Sequence, residues 1–207
     1  MMRRLFCILI LCTLSCGKNE FPDYEDNSAF EQEEQEEVFF RGTFETINSQ
    51  KAKKISGLYV LWIEDVQFYV KVMVSNAPSK VRYQQYIHSG ERCPVRSDDL
   101  NGDGIIDFSE VLQSSGKILV PLDGVLRTQT DGIDWFPLTN AGGKYSYSRA
   151  GAIFHMMEDL RSKDPLLRPD MTKLTSSENL DLNRRTIILY GSASDPLLPV
   201  ACAEIGR

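Results

Sequence analysis

From residue 38 onward, apolar positions recur in short blocks separated by Gly, Asn, Ser and Asp. In "VQFYVKVMV" (66–74), Val66, Phe68, Val70, Val72 and Val74 fall on one side, with Gln67, Tyr69 and Lys71 on the other. A two-residue period predicts a half-buried antiparallel strand. "VFFRGTFETI" (38–47) and "LYVLWI" (58–63) are β-branched and aromatic runs closed by polar turns. "KVRYQQYIH" (80–88), "KILVPL" (117–122), "RRTIILYG" (184–191) and "PVACAEI" (199–205) complete the predicted strands. One helix interrupts them. "GAIFHMMEDLRS" (151–162) places Ile153, Met156, Met157 and Leu160 near one side, with Asp159 and Arg161 away from it. Residues 162–182 are polar, contain Pro165 and Pro169, and read as a long excursion; no internal repeat is visible. The expected fold class is mainly β, an antiparallel sandwich or barrel with one short helix.

Residues 1–15 do not share this pattern. "MMRR" is a basic head, "LFCILILCTL" an apolar run of ten, and "SCG" follows. The run is too short to span a bilayer and has the layout of a secretion signal. Ser15 before Cys16 resembles the bacterial lipoprotein cleavage box, whose cysteine becomes the acylated N-terminus, although Thr13 stands where Leu is usual. The alternatives are an ordinary signal peptide cut nearby or an uncut anchor. The lipoprotein reading makes the membrane a partner, reached through lipid on Cys16, in a bacterial cell envelope. Gly17 after Cys16, rather than Asp, favours outer-membrane sorting if the host follows the enteric rule. Residues 16–37 carry nine acids and one lysine and read as a disordered tether.

Charge changes little beyond that division. The chain is −6 overall, the signal +2 and the tether −8, which leaves zero for residues 38–207. Those residues suffice for one domain with a real core. They show no basic patch, so no nucleic-acid partner is expected. Cys7 and Cys12 go with the signal and Cys16 with the lipid. Cys93 and Cys202 remain as one pair in an exported chain, which suggests a disulfide; two free buried thiols is the alternative.

"DLNGDGIIDFSE" (99–110) carries the densest chemistry. An EF-hand-type calcium loop needs ligands at positions 1, 3, 5, 7, 9 and 12 and glycine at 6. Here these are Asp99, Asn101, Asp103, the Ile105 carbonyl, Asp107 and Glu110, with Gly104 at the sixth and the apolar Ile106 at the eighth. Four crowded carboxylates repel until a cation neutralises them. Gly90 and Pro94 prevent an entering helix, whereas "FSEVLQ" allows an exiting turn or two. Calcium is thus the expected cofactor, on a lone loop. Its dissociation constant should be ~0.1–1 mM, as in extracellular modules. At about ten times that concentration calcium adds only ~1.4 kcal/mol, which suits a staple better than a switch. A solvated Asx-rich turn is the alternative.

"YIHSGERC" (86–93) and, far downstream, "RRTIILYGSASDPLLPVACAEIG" (184–206) resemble copper/zinc superoxide dismutase. In that family a strand ends in His-x-His, then Gly and Cys. A late strand carries another copper histidine, and an Arg-x-Ala-Cys-Gly segment closes a disulfide to the first cysteine. The spacing of "ISGLYVLWIEDVQFYVKVMVS" (55–75) is similar to the family's early strands. The resemblance implies an antiparallel Greek-key sandwich and a Cys93–Cys202 bridge. It does not carry the metal site. Tyr86 stands at the first copper histidine, His88 keeps the second, Tyr190 replaces the later one, and Pro199 replaces the anion-guiding arginine. The calcium-type loop occupies the place of the zinc loop and contains no histidine. The family uses six histidines and this chain has two in all. Copper that cycles between oxidation states needs several imidazoles, so dismutation is not expected and no catalytic residues are assigned.

His155 beside Met156 and Met157 raises a rival, a copper-binding redox protein or metal carrier using His88 and His155. Methionines on the helix's apolar face and a strand-end His88 bonded to backbone are the plainer account. No G-x-S-x-G or similar nucleophile signature occurs. The expectation is therefore an exported, lipid-anchored, calcium-binding protein without catalytic activity. It would serve binding or envelope structure, with an unidentified envelope or surface partner.

Overall fold

A computed structural model of the chain describes residues 38–49, 54–124, 126, 136–162, 169–175 and 179–206. The expectations for the signal, Cys16 and the tether fall on residues 1–37, outside that set. Strands β1 (Val38–Thr43), β3 (Ser56–Glu64), β4 (Gln67–Ser75) and β7 (Tyr145–Ala152) form one antiparallel sheet in the order β1-β3-β4-β7. Strands β2 (Glu45–Thr46), β5 (Gln84–His88), β6 (Ile118–Pro121), β8 (Thr186–Tyr190) and β9 (Pro199–Glu204) form a second, in the order β2-β9-β8-β5-β6. Two short helices are described, α1 (Phe108–Ser114) and α2 (Ile153–Arg161).

The sheets share one apolar core, with Leu61, Phe68, Val70 and Val72 from the first and Ile87, Val120, Ile187 and Leu189 from the second. Each of these is fully buried, worth ~1.5–3 kcal/mol per side chain. The architecture is the expected mainly β class and is consistent with a sandwich. A second apolar layer includes Tyr86, Ile118, Ile188, Tyr190 and Cys202, with Ile106, Val111, Phe136 and Met171 packed among them. This second layer carries the candidate site.

Four expectations need correction. The run 38–47 is two strands, because Phe44 turns into the core and the chain changes sheets there. β1 pairs with β3, whereas β2 pairs with β9. Val66 does not join the buried face of β4: it sits in the tight Asp65–Val66 turn of the β3–β4 hairpin and is 62% exposed. Asp65 takes the left-handed backbone (φ 52°) that such a turn needs. The predicted strand 80–88 is regular only from Gln84; before it, Lys80 and Tyr83 donate backbone bonds to Thr139 and Pro137. Finally, "YSYSRAGA" forms β7, which periodicity did not mark. Its buried Tyr145 and Tyr147 alternate with exposed Ser146 and Ser148.

The predicted helix is present, starting two residues late at Ile153. It buries Met156 and Leu160 and leaves Phe154 and His155 outside. The solvent face of the four-stranded sheet is less polar than alternation implies. Register sets Phe39, Trp62 and Tyr69 in one row, Arg41, Val60 and Lys71 in the next, and Leu58 beside Met73 in a third. Trp62 and Tyr69 stack with ring centroids 4.6 Å apart.

Candidate functional site

The segment 99–110 follows a single 3-10 turn, Arg96–Asp98, and runs into the first turn of α1. Arg92 grips Asp98 through two bonds of 2.7 and 2.9 Å, and that pairing holds the Asp98 carboxyl below its usual range. Gly102 (φ 73°) and Gly104 (φ 83°) take left-handed backbone, which folds the loop on itself. Asp99 accepts from the Gly102 and Gly104 amides, both at 2.8 Å. Asn101 accepts from the Asp103 amide, and Asp103 from that of Ile105. Asp107 is the N-cap of α1, taking the Glu110 amide at 3.0 Å and the Ser109 hydroxyl at 2.7 Å. Burial pushes the Asp107 carboxyl up, but those bonds together outweigh it and lower its pKa. Glu110, only 3% exposed, folds back to accept from Leu100 and Asn101 through one oxygen and from Asp107 through the other.

Nothing in the residue pattern marks what holds this loop to the sheets. Asn48, at φ 47° just after β2, accepts from the Ile106 amide at 2.8 Å and donates to the Ile106 carbonyl at 2.7 Å. It donates also to the Pro199 carbonyl of β9 at 3.0 Å. A side-chain amide offers the same donor and acceptor as a backbone peptide. Asn48 thus pairs with Ile106 at both its amide and its carbonyl, as the backbone of a neighbouring strand would.

The donor set is all hard oxygen, which suits calcium by type. As placed, however, the carboxylates face the loop's own amides. Among the described residues no three acidic, imidazole or thiol groups converge as a metal grip. Coordination would require Asp99, Asp103 and Glu110 to swing toward a common centre.

Cys93 and Cys202 form a disulfide, with Cα atoms 5.8 Å apart and a sequence separation of 109. It joins the segment after β5 to β9. The Cys93 amide also donates to Glu204 at 3.0 Å. Closing so long a loop is worth ~4–5 kcal/mol in the chain-entropy account.

Three positions that the resemblance assigns to copper ligands meet on one face of the five-stranded sheet. Tyr86 and His88 are two apart on β5, and Tyr190 lies on the adjacent β8. Ring centroids are 5.8 Å apart for Tyr86–Tyr190 and His88–Tyr190, and 6.4 Å for Tyr86–His88. His88 is fully buried, and both ring nitrogens are engaged. Nδ1 lies 2.8 Å from the Gly116 carbonyl and Nε2 2.9 Å from the Tyr190 hydroxyl. A carbonyl only accepts, so Nδ1 carries the proton and Nε2 accepts from Tyr190. Burial pushes the imidazole down to about 4, outweighing the pull of the Gly116 bond and of Asp170. Burial likewise raises the Tyr190 phenol well above its ordinary value. The Tyr86 hydroxyl donates to Gln84 at 2.6 Å. The cluster is a neutral hydrogen-bonded set in which the imidazole has no spare lone pair.

His155 is remote from this arrangement. It is exposed on α2, which packs on β7 of the other sheet, and its Nδ1 lies 3.8 Å from Glu158. The two histidines therefore do not share a site. Next to the loop is a cleft of about 790 Å³, bounded by Asp103, Asp107 and Ser109 on one side and by Ser192, Ser194 and Asp195 on the other. Its serine hydroxyls bond to Asp107, to the Asp195 backbone or to each other, and no imidazole lines it to act as a base. Neither a protein-family model nor a curated protein sequence matches the chain.

Proposed function

We propose that this chain is an exported, lipid-anchored, calcium-binding protein with a non-catalytic, superoxide dismutase-like Greek-key sandwich. Its role is binding or structure in the bacterial cell envelope. The observation that carries the reading is the fixing of Ile106 by Asn48 at both its amide and its carbonyl. A twelve-residue segment with hard oxygens at each ligand position is thereby held against β9, beside the Cys93–Cys202 bridge. Calcium, when bound, neutralises the four crowded carboxylates; Asp99, Asn101, Asp103, Asp107, Glu110 and the Ile105 carbonyl would hold it. The protein's own groups do the rest: Asn48 orients the loop, the two glycines turn it, and Asp107 caps α1. The non-catalytic reading is supported by His88, whose two ring nitrogens are taken up by the Gly116 carbonyl and the Tyr190 hydroxyl. The partner is a component of the envelope or cell surface.

Asp103→Ala tests the calcium reading. At calcium about ten times its dissociation constant, the wild type should gain ~1.4 kcal/mol, or roughly 3–5 °C in melting temperature, and the variant should gain nothing. An equal loss of melting temperature in chelator would show that the loop is not a metal site. Elemental analysis of protein purified without chelator should find no stoichiometric copper. Cys16→Ala should move the protein out of the detergent-dependent fraction of cells, and continued membrane retention would refute the lipid anchor.

A further inference from the structure

A buried base holds the Tyr190 hydroxyl. Both His88 and Tyr190 are fully buried, and the hydroxyl donates to His88 Nε2 at 2.9 Å. That bond sets Tyr190 apart from the other tyrosines whose hydroxyl acceptors are described. Tyr59 donates to the Glu204 carbonyl and Tyr147 to the Asp123 carbonyl, while Tyr86 and Tyr145 donate to the side-chain oxygens of Gln84 and Gln85. Amide oxygens accept a hydrogen bond but do not take the proton; an imidazole nitrogen does both. The difference is silent while the phenol is intact, since burial holds its proton firmly. It matters once the ring loses an electron. An oxidised phenol is a strong acid that must shed its proton at once, and a buried one has no water to receive it. At Tyr190 the receiving nitrogen is already in place. The imidazolium so formed keeps its Nδ1 proton on the Gly116 carbonyl, 2.8 Å away, and feels the negative charge of Asp170. Burial keeps the imidazole neutral down to about 4, so Nε2 is available through the ordinary pH range. Phe108 packs edge-on to Tyr190, with centroids 5.4 Å apart, and lines the cleft of about 790 Å³ beside the loop. An oxidant in that cleft is one ring away from the phenol.

We propose that Tyr190 is a one-electron donor to peroxyl radicals, with His88 as the acceptor of its proton. The electron passes from the Tyr190 phenol to the peroxyl radical, which becomes a peroxide anion. That anion takes a proton from water to give a hydroperoxide, leaving hydroxide to balance the imidazolium. The O–H bond of Tyr190 breaks, its proton forms the Nε2–H bond of His88, and a neutral tyrosyl radical remains. One peroxyl radical is removed per chain, so the step is stoichiometric and independent of the calcium loop. Burial of both rings keeps the tyrosyl radical from side reactions with a second chain.

The test oxidises the full chain in two ways, with flash-generated ruthenium(III) tris-bipyridine and with peroxyl radicals from a thermal azo initiator. Rapid freezing and electron paramagnetic resonance read the tyrosyl radical. The wild type should give a tyrosyl signal with both oxidants, and Tyr190→Phe should abolish it. His88→Gln, which keeps an acceptor oxygen but takes no proton, should form the radical about a hundredfold more slowly. A signal unchanged in Tyr190→Phe places the radical on another tyrosine and overturns the proposal, as does formation in His88→Gln at the wild-type rate. A signal from ruthenium but none from peroxyl radicals overturns it too, since the oxidant is then wrong. If either variant fails to fold, heavy-nitrogen labelling of histidine in a His155→Ala background decides, because His88 alone can then couple to the radical. A nitrogen coupling sustains the proposal, and its absence overturns it.

Discussion

Acidification from pH 7 to 4 should destabilise the wild-type protein more than a His88→Gln variant. In the folded state the buried imidazole is held at about 4, down from the ordinary 6.5. Unfolded, it regains water and the ordinary value. Between those two pH values the unfolded chain binds a proton that the folded chain refuses, so stability falls as pH falls through that window. The loss begins near 6.5, grows toward 4 and levels off below it. The gap, at 1.36 kcal/mol per unit, amounts to about 3 kcal/mol. Urea unfolding at a series of pH values, followed by far-UV circular dichroism, measures it. Carboxylates titrate near the lower end of the window in both proteins, so the difference between the two curves isolates the imidazole. His88→Gln will lower stability at every pH by disturbing the Gly116 and Tyr190 contacts; the slope is the readout, not the offset. Two parallel curves would refute the reasoning. So would an imidazole resonance, recorded in a His155→Ala background, that titrates near 6.5.

Asn48→Ala removes three bonds and strands the Ile106 amide and carbonyl; it should cost ~2–3 kcal/mol in urea unfolding, and a loss under ~0.5 would show that the loop is held by other means. Cys93→Ser should lower stability by ~4–5 kcal/mol and leave Cys202 reactive to a thiol probe after unfolding without reductant. A Cys202 that stays blocked there would mean a different pairing.

Periodicity located the strands whose two faces differ strongly. β4 buries Phe68, Val70, Val72 and Val74 against Tyr69, Lys71 and Met73, and the alternation is plain in the sequence. β7 escaped notice because only Tyr145 and Tyr147 are buried, among serines, alanines and glycine that carry little strand signal. Its partner β4 imposes the conformation through eight register pairs, which no local pattern reports. The break at Phe44 escaped for a related reason. Phe44 is apolar like its neighbours, and only the three-dimensional path shows it passing between sheets. At the site, fixed spacing made the twelve-residue loop legible, and cysteine count made the bridge legible. Asn48 was not, since it lies 58 residues from Ile106 in an unremarkable turn.

The change of sheet at Phe44 sets how the domain would answer a pull on its N-terminal end. Force applied at Val38 separates the pair Val38–Ile63 first and then the successive pairs of β1, so that strand unzips at low load. Beyond it comes Glu45, in register with Cys202 on β9, a strand that the sulfur bond ties covalently to the segment after β5. β1 is thus a yielding length of slack, and the covalent clamp begins only at Cys93.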